Sequence, residues 1–316
     1  MSLRNQLNLR IEERLLLFTF AWIFALRVLS GLDAAPAYLV KSILNDMYSW
    51  GYIILMSILL YSGFDLIING SSKSLGGYYG KTLHVIKGFR DYLPLPVLGF
   101  LFYTLGGGRE LTHLAGFPDS TACLIKLEEF VFTTQLTQIF SRISTPLLTE
   151  YLSFIYFFYP WLIILVSLWL GFKGEYRLFR GYVAAIVFAS CTAYAFFMVL
   201  PAVSPEYVIN YDEPLTGGYF YNKLGEYSST VRDSGNDCCL FPSLHVALSM
   251  IPWLFMRLHD RRLDAPFAVL AVSEWISTVY LRRHFGVDVL AGLALGYFCY
   301  KAALHVTRNL GSRRES

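Results

Sequence analysis

The chain has 316 residues, 55% of them hydrophobic and 17% aromatic, and only 16% are charged, against roughly 25% in soluble domains. With a mean hydropathy of +0.47, lipid is the solvent for much of its length. The net charge of +3 comes from scattered basic residues, which argues against a nucleic-acid partner. The five cysteines, Cys123, Cys191, Cys238, Cys239 and Cys299, include no CxxC pair, which argues against zinc.

A helix crossing the bilayer core needs roughly 20 mostly apolar residues. In chain order the candidate spans are 14–32, 50–70, 92–107, 148–172, 180–200, 243–258, 264–282 and 286–307. The segment 92–107 is the weakest, interrupted by Pro94, Pro96 and Gly106 to Gly108. The first run follows a charged start with no small-residue cleavage site after it, so a cleavable leader is not expected. The expected fold is therefore all-α: a polytopic membrane helix bundle of about eight spans.

Loop charge orients those spans, because cytoplasmic loops are enriched in Lys and Arg. The N-terminus carries Arg4, Arg10 and Arg14, and Lys73, Lys81, Lys87 and Arg90 precede the third span. Lys173, Arg177 and Arg180, then Arg257, Arg261 and Arg262, then Arg308, Arg313 and Arg314 fall in later loops and the tail. Eight spans put all five groups on one side. Loop 201–242 falls on the other, with Glu206, Asp212, Glu213, Glu226, Asp233 and Asp237 against Lys223 and Arg232. Both termini are expected in the cytoplasm and loop 201–242 outside it.

Two segments carry chemistry, and this topology places both at the outer face. One is Phe241-Pro242-Ser243-Leu244-His245, opening the sixth span. The other runs Ser277-Thr278-Val279-Tyr280-Leu281-Arg282-Arg283-His284-Phe285-Gly286-Val287-Asp288, joining the last two. If residues 284–288 are helical, His284 and Asp288 share one face a turn apart. A carboxylate there holds one imidazole nitrogen protonated and leaves the other as nucleophile or base. His245, from another helix, is placed to act as general acid. Histidines clustered at one face argue against a transporter, whose ionisable residues usually sit at the midplane; a non-catalytic scaffold is the other alternative.

Pro242-Ser243-Leu244-His245 and the His284…Asp288 segment resemble the second and third signature motifs of the type 2 phosphatidic acid phosphatase superfamily. Leu244 and Ser277-Thr278-Val279-Tyr280-Leu281 are similar to the inositol-phosphorylceramide synthase branch, where the phosphatases have Gly and Ser-Arg. The resemblance runs from about residue 90 to 305. It implies two added N-terminal spans and a cytoplasmic loop in 1–90, and a six-helix catalytic core in 91–316.

The resemblance also implies roles: His284 attacks phosphorus to form a phosphohistidine, Asp288 activates it, and His245 protonates the departing oxygen. Ser243 is implied to bind phosphate oxygens through its hydroxyl and backbone amide, with Tyr280, Arg282 and Arg283 as further substrate contacts. No metal or other cofactor is implied, since protein donors meet the negative charge. The chain departs from the phosphatase pattern at Leu200-Pro201-Ala202-Val203-Ser204-Pro205-Glu206, which has no cation, and at Thr278, where the phosphatases have arginine. A phosphate monoester carries about two charges and a diester one, so a cation-poor site points to diesters. The expected reaction is transfer of a phospho-headgroup from a phospholipid to a lipid alcohol; the alternative is a lipid phosphatase using water. Arg282 and Arg283 either restore phosphate-binding charge or anchor the interface.

Glu274, midway along the seventh span, either bonds a neighbouring helix or lines the headgroup pocket. Segment 108–147, with Arg109, Lys126, Arg142, Phe130, Phe132 and Phe140, reads as interfacial helices forming part of a lipid entrance. Cys238 or Cys239 either pairs with Cys123 or stays a free thiol.

Overall fold

The computed structural model describes residues 9–29, 94–95, 116–233 and 240–308. The described residues form helices and turns, with no strand among them, as expected for an all-α membrane bundle. The expected spans 50–70 and 92–107 lie outside them except for Pro94 and Leu95, as do the basic loop 71–91, Arg4, Arg109, Arg313, Arg314, Cys238 and Cys239.

The helices are α1 (Ile11–Leu29), α2 (Thr121–Phe132), α3 (Leu136–Ser141), α4 (Pro146–Phe172), α5 (Tyr176–Val199), α6 (Pro205–Val208), α7 (Tyr219–Asp233), α8 (Leu244–His259), α9 (Asp264–Tyr280) and α10 (Gly286–Thr307). Three of them, α4, α5 and α10, are long and apolar enough to cross a membrane. With 27, 24 and 22 residues they reach about 33–40 Å, against a hydrocarbon core of about 30 Å. Helices α8 and α9, with 16 and 17 residues, reach only about 25 Å. Loop 201–242 contains two helices that its polar composition did not announce, α6 and α7.

Contacts divide the chain into two compact units. In the unit made of Met1–Gly106, Ser167–Cys191 and Ala303–Ser316, Glu12 of α1 is paired with Arg180 of α5. Both are buried, and neither charge is tolerable there without the other. Around them α5 buries Tyr182, Val183, Ala184 and Val187.

The unit made of Gly107–Val166 and Thr192–Ala302 holds all the candidate site residues. Two apolar clusters grip the turn between α9 and α10 from either end. Tyr280 and Leu281 pack with Leu152, Leu215 and Leu224, while Phe285 and Val287 pack with Leu124, Ala202 and Leu240. Side-chain bonds set an antiparallel register between α9 and α4. The Tyr280 hydroxyl meets Thr149 Oγ1 at 2.8 Å, and three residues back Ser277 donates to the Leu152 carbonyl at 2.8 Å. Helices α8 and α10 approach at glycine: a Cβ on Gly292 would lie 2.5 Å from the Ser243 carbonyl oxygen, and one on Gly296 3.0 Å from that of Ala247. Small residues that let helix backbones touch are the usual packing device in lipid.

Candidate active site

Helix α9 ends in two crossed hydrogen bonds: Arg282 N–H donates to the Val279 carbonyl at 3.0 Å and Arg283 N–H to that of Thr278 at 2.9 Å. This is a Schellman stop, in which the residue past the cap turns left-handed, usually as glycine. Here Arg282 takes that place with φ +62°. Its side chain holds the conformation: the guanidinium stacks 3.7 Å over the Tyr211 ring. It also donates to the Glu213 carbonyl at 2.7 Å and to Ser141 Oγ at 3.2 Å.

The reversal delivers His284 just before α10 begins, so His284 and Asp288 are not two positions on one helix. Asp288 sits in the first turn and its Oδ2 reaches back to accept Phe285 N–H at 2.9 Å, the reciprocal half of a capping box. The same oxygen faces His284 Nδ1 at 3.4 Å. Both side chains are buried.

His245 comes from the first turn of α8. Its Nδ1 lies 3.3 Å from His284 Nε2. Two rings of α4 hold it: Tyr156 stacks on the imidazole at 4.6 Å and Tyr159 leans against it at 4.7 Å. A proton on His284 Nδ1, aimed at Asp288, leaves Nε2 with a lone pair. Burial, and then the Arg283 charge, push the His284 imidazole down to about 3, which keeps that lone pair free near neutral pH.

The remaining sequence-derived substrate contacts lie elsewhere or are partly engaged. Ser243 caps α8, but its N–H donates to the Asp288 carbonyl at 3.1 Å. Only its hydroxyl, which accepts from Val246 N–H at 3.4 Å, has a proton to offer phosphate. Tyr280 is fully buried with its hydroxyl against Thr145 and Thr149. Arg282 serves the turn. Arg283 lies close enough for its charge to act on both histidines, yet its guanidinium is paired with Glu206 at 2.6 Å. The cation-free stretch 200–206, which runs into α6, thus brings an anion, Glu206, to the turn. Thr278, where the phosphatases have arginine, is buried and donates its hydroxyl to the Trp275 carbonyl at 2.8 Å. In the expected interfacial segment, Lys126 and Arg142 are exposed.

Sequence reasoning missed Glu128. This fully buried residue of α2 accepts Gly286 N–H at 3.0 Å, Val287 N–H at 2.9 Å and Leu136 N–H at 3.3 Å. Two of those amides are unpaired donors at the start of α10, where a negative charge also meets the positive end of the helix dipole. Burial pushes the Glu128 carboxyl above its ordinary value and nearby Asp288 adds to this, while the three amides oppose it. A partner 158 residues away leaves no local signal. Among the described residues no cluster of His, Cys, Asp or Glu is spaced to hold a metal ion.

The PAP2 superfamily matches residues 124–302, a stretch that contains every residue of this constellation. A phosphoinositol dihydroceramide synthase of Bacteroides thetaiotaomicron is 29% identical over 158 residues, which cover 45% of this chain and 52% of that protein. The chain thus spans about half the length of the curated relative it matches. No solved structure matches it. The chain belongs to the PAP2 superfamily, a family of lipid phosphatases and phosphotransferases, and is a membrane enzyme.

Proposed function

We propose that the enzyme transfers a phospho-headgroup from a phospholipid to a lipid alcohol by double displacement at His284. His284 Nε2 attacks phosphorus, and the bond to the diacylglycerol oxygen breaks as His245 supplies that oxygen with a proton. The headgroup remains on phosphorus through its single ester bond, in a phosphoramidate linked to His284. The acceptor hydroxyl then attacks, its proton passes to His245, and the N–P bond electrons return to His284. Asp288 keeps Nδ1 protonated and offsets the charge on the imidazole while phosphorus is attached.

The observation that carries this reading is the Asp288–His284–His245 line, with gaps of 3.4 and 3.3 Å. Transfer is favoured over hydrolysis of a monoester because Arg283 is paired with Glu206, which leaves little net positive charge for a dianion. The name of the bacterial relative points to phosphoinositol as headgroup and dihydroceramide as acceptor. The reaction belongs to the core 91–316, with the site at the extracytoplasmic face and both termini in the cytoplasm.

The test is purified enzyme in liposomes with headgroup-labelled phospholipid, with and without a lipid alcohol. Label on the acceptor is the expected result, abolished by His284→Ala. Release of free phosphate from phosphatidic acid faster than any transfer overturns the reading in favour of a phosphatase.

A further inference from the structure

Glu274 lies on α9, fully buried, and neither of its carboxylate oxygens has a hydrogen-bond partner among the described residues. Ser153 of α4 is equally buried, and its hydroxyl is likewise without a partner there. Buried polar groups are costly unless bonded, and an ionisable residue inside a membrane helix ordinarily serves a function. The option of a bond to a neighbouring helix is not taken up among the described residues.

The two orphans flank one helix contact. Glu274 lies three residues before Ser277, which donates to the Leu152 carbonyl at 2.8 Å, and Ser153 directly follows Leu152 on α4. Tyr156 is the ring stacked on His245, and Ser153 is one turn before it. From the other side, Trp275 donates to Ser249 Oγ at 3.0 Å, and Ser249 is one turn along α8 from His245. Glu274 therefore stands about one helical turn, roughly 5 Å, further along the helices than His245, away from the His284 turn.

That direction selects between two sources of donors. A headgroup hangs from phosphorus on the side away from the lipid chains. The backbone of a lipid alcohol extends from its reacting oxygen toward the chains, along the helices, and His245 handles that oxygen. We propose that Glu274 and Ser153 form a subsite for the polar backbone of the acceptor lipid, with Glu274 accepting hydrogen bonds from an amide N–H or second hydroxyl next to the reacting alcohol. An N-acyl amino-alcohol lipid supplies such donors; diacylglycerol has only ester carbonyls beside its hydroxyl. The subsite rests on the transferase reading and adds acceptor selectivity to it.

The experiment compares wild type, Glu274→Gln and Glu274→Leu in liposomes, with thermal unfolding in detergent as a folding control. One arm varies the acceptor, dihydroceramide against diacylglycerol, at a fixed donor. The other varies the donor headgroup, with and without hydroxyls, at a fixed acceptor. Both variants are expected to lose roughly tenfold or more in kcat/KM for dihydroceramide, with diacylglycerol and donor preference little changed. Glu274→Gln keeps the side-chain volume and decides the matter if Glu274→Leu does not fold. An equal loss toward both acceptors makes Glu274 structural and overturns the subsite, and a changed headgroup preference overturns it in favour of the headgroup. Wild type that releases phosphate without transferring a headgroup overturns the transferase reading, and the subsite with it.

Discussion

His284 Nε2 and His245 Nδ1 stand 3.3 Å apart, close enough for one proton to lie between them. A lone pair on His284 Nε2 therefore points at the other imidazole, and on the proposed mechanism a phosphoryl group reaches it only by coming between the rings. Tyr156 and Tyr159 hold the His245 ring, so the separation is set by α4 as well as by the two motifs.

The two histidines are expected to separate by leaving group. His245→Gln slows transfer from a natural phospholipid by about 10²- to 10⁴-fold, the usual worth of general acid catalysis. With a p-nitrophenyl phosphodiester, whose leaving group needs no proton, most of that loss disappears. His284→Ala stays inactive on both. Equal losses for His245→Gln on the two substrates refute the acid role.

The pH dependence follows from His284, whose folded value of about 3 lies below its ordinary 6.5. Above pH 6.5 the imidazole is neutral whether the chain is folded or not, and it contributes no pH dependence to stability. Between 6.5 and about 3 the unfolded chain takes up a proton that the folded one refuses, so stability falls as pH falls. With His284 as the proposed nucleophile, the acid limb of kcat/KM is expected toward pH 3. Arg283→Gln removes a positive charge and leaves Glu206 uncompensated, moving that limb upward. A pH–rate profile of the two proteins checks the sign.

Glu128→Ala leaves three backbone amides without their acceptor, at roughly 1–3 kcal/mol for each group that stays buried and unpaired. Thermal unfolding in detergent is expected at a markedly lower temperature, with transfer lost as the α10 start frays. Glu128→Gln keeps one acceptor oxygen but turns an NH₂ toward amide donors, and is expected to fall between. A wild-type unfolding profile for Glu128→Ala refutes the capping role.

Gly292→Val tests the approach of α8 and α10. The added Cβ would lie 2.5 Å from the Ser243 carbonyl oxygen and 2.9 Å from Val246 Cβ, and backbone cannot swing aside as a side-chain tip does. Pushing the helices apart breaks the bond between Ser243 N–H and the Asp288 carbonyl. Turnover and thermal stability are expected to fall together, by tenfold or more in kcat. The same substitution at Gly225, where a Cβ meets nothing within 4 Å, is expected to leave turnover in place.

What the chain reveals without its structure is uneven. The long apolar runs of α4, α5 and α10 are legible because lipid forces backbone groups into continuous helices. His284 and Asp288 are legible as a pair through their spacing, although the reason they meet is a capping turn rather than a shared helix face. Arg282 reads as a phosphate ligand from type and position, yet its left-handed backbone and its stacking on Tyr211 make it a turn residue. Glu128, Glu206 and Tyr156 stay hidden because each acts across a long sequence separation. Glu150 is hidden in the same way, capping α7 through Gly218, Phe220 and Tyr221 amides up to 71 residues away.

Glu128 holds the first two amides of α10 and that of Leu136 in one carboxylate, fastening α2 and α3 beside His284. Any swing of the α2–α3 hairpin would therefore pull on the start of α10 and drag His284 off its line. The same anchor holds the hairpin's exposed apolar residues, among them Phe130 and Ile139, at a fixed distance from the start of α10.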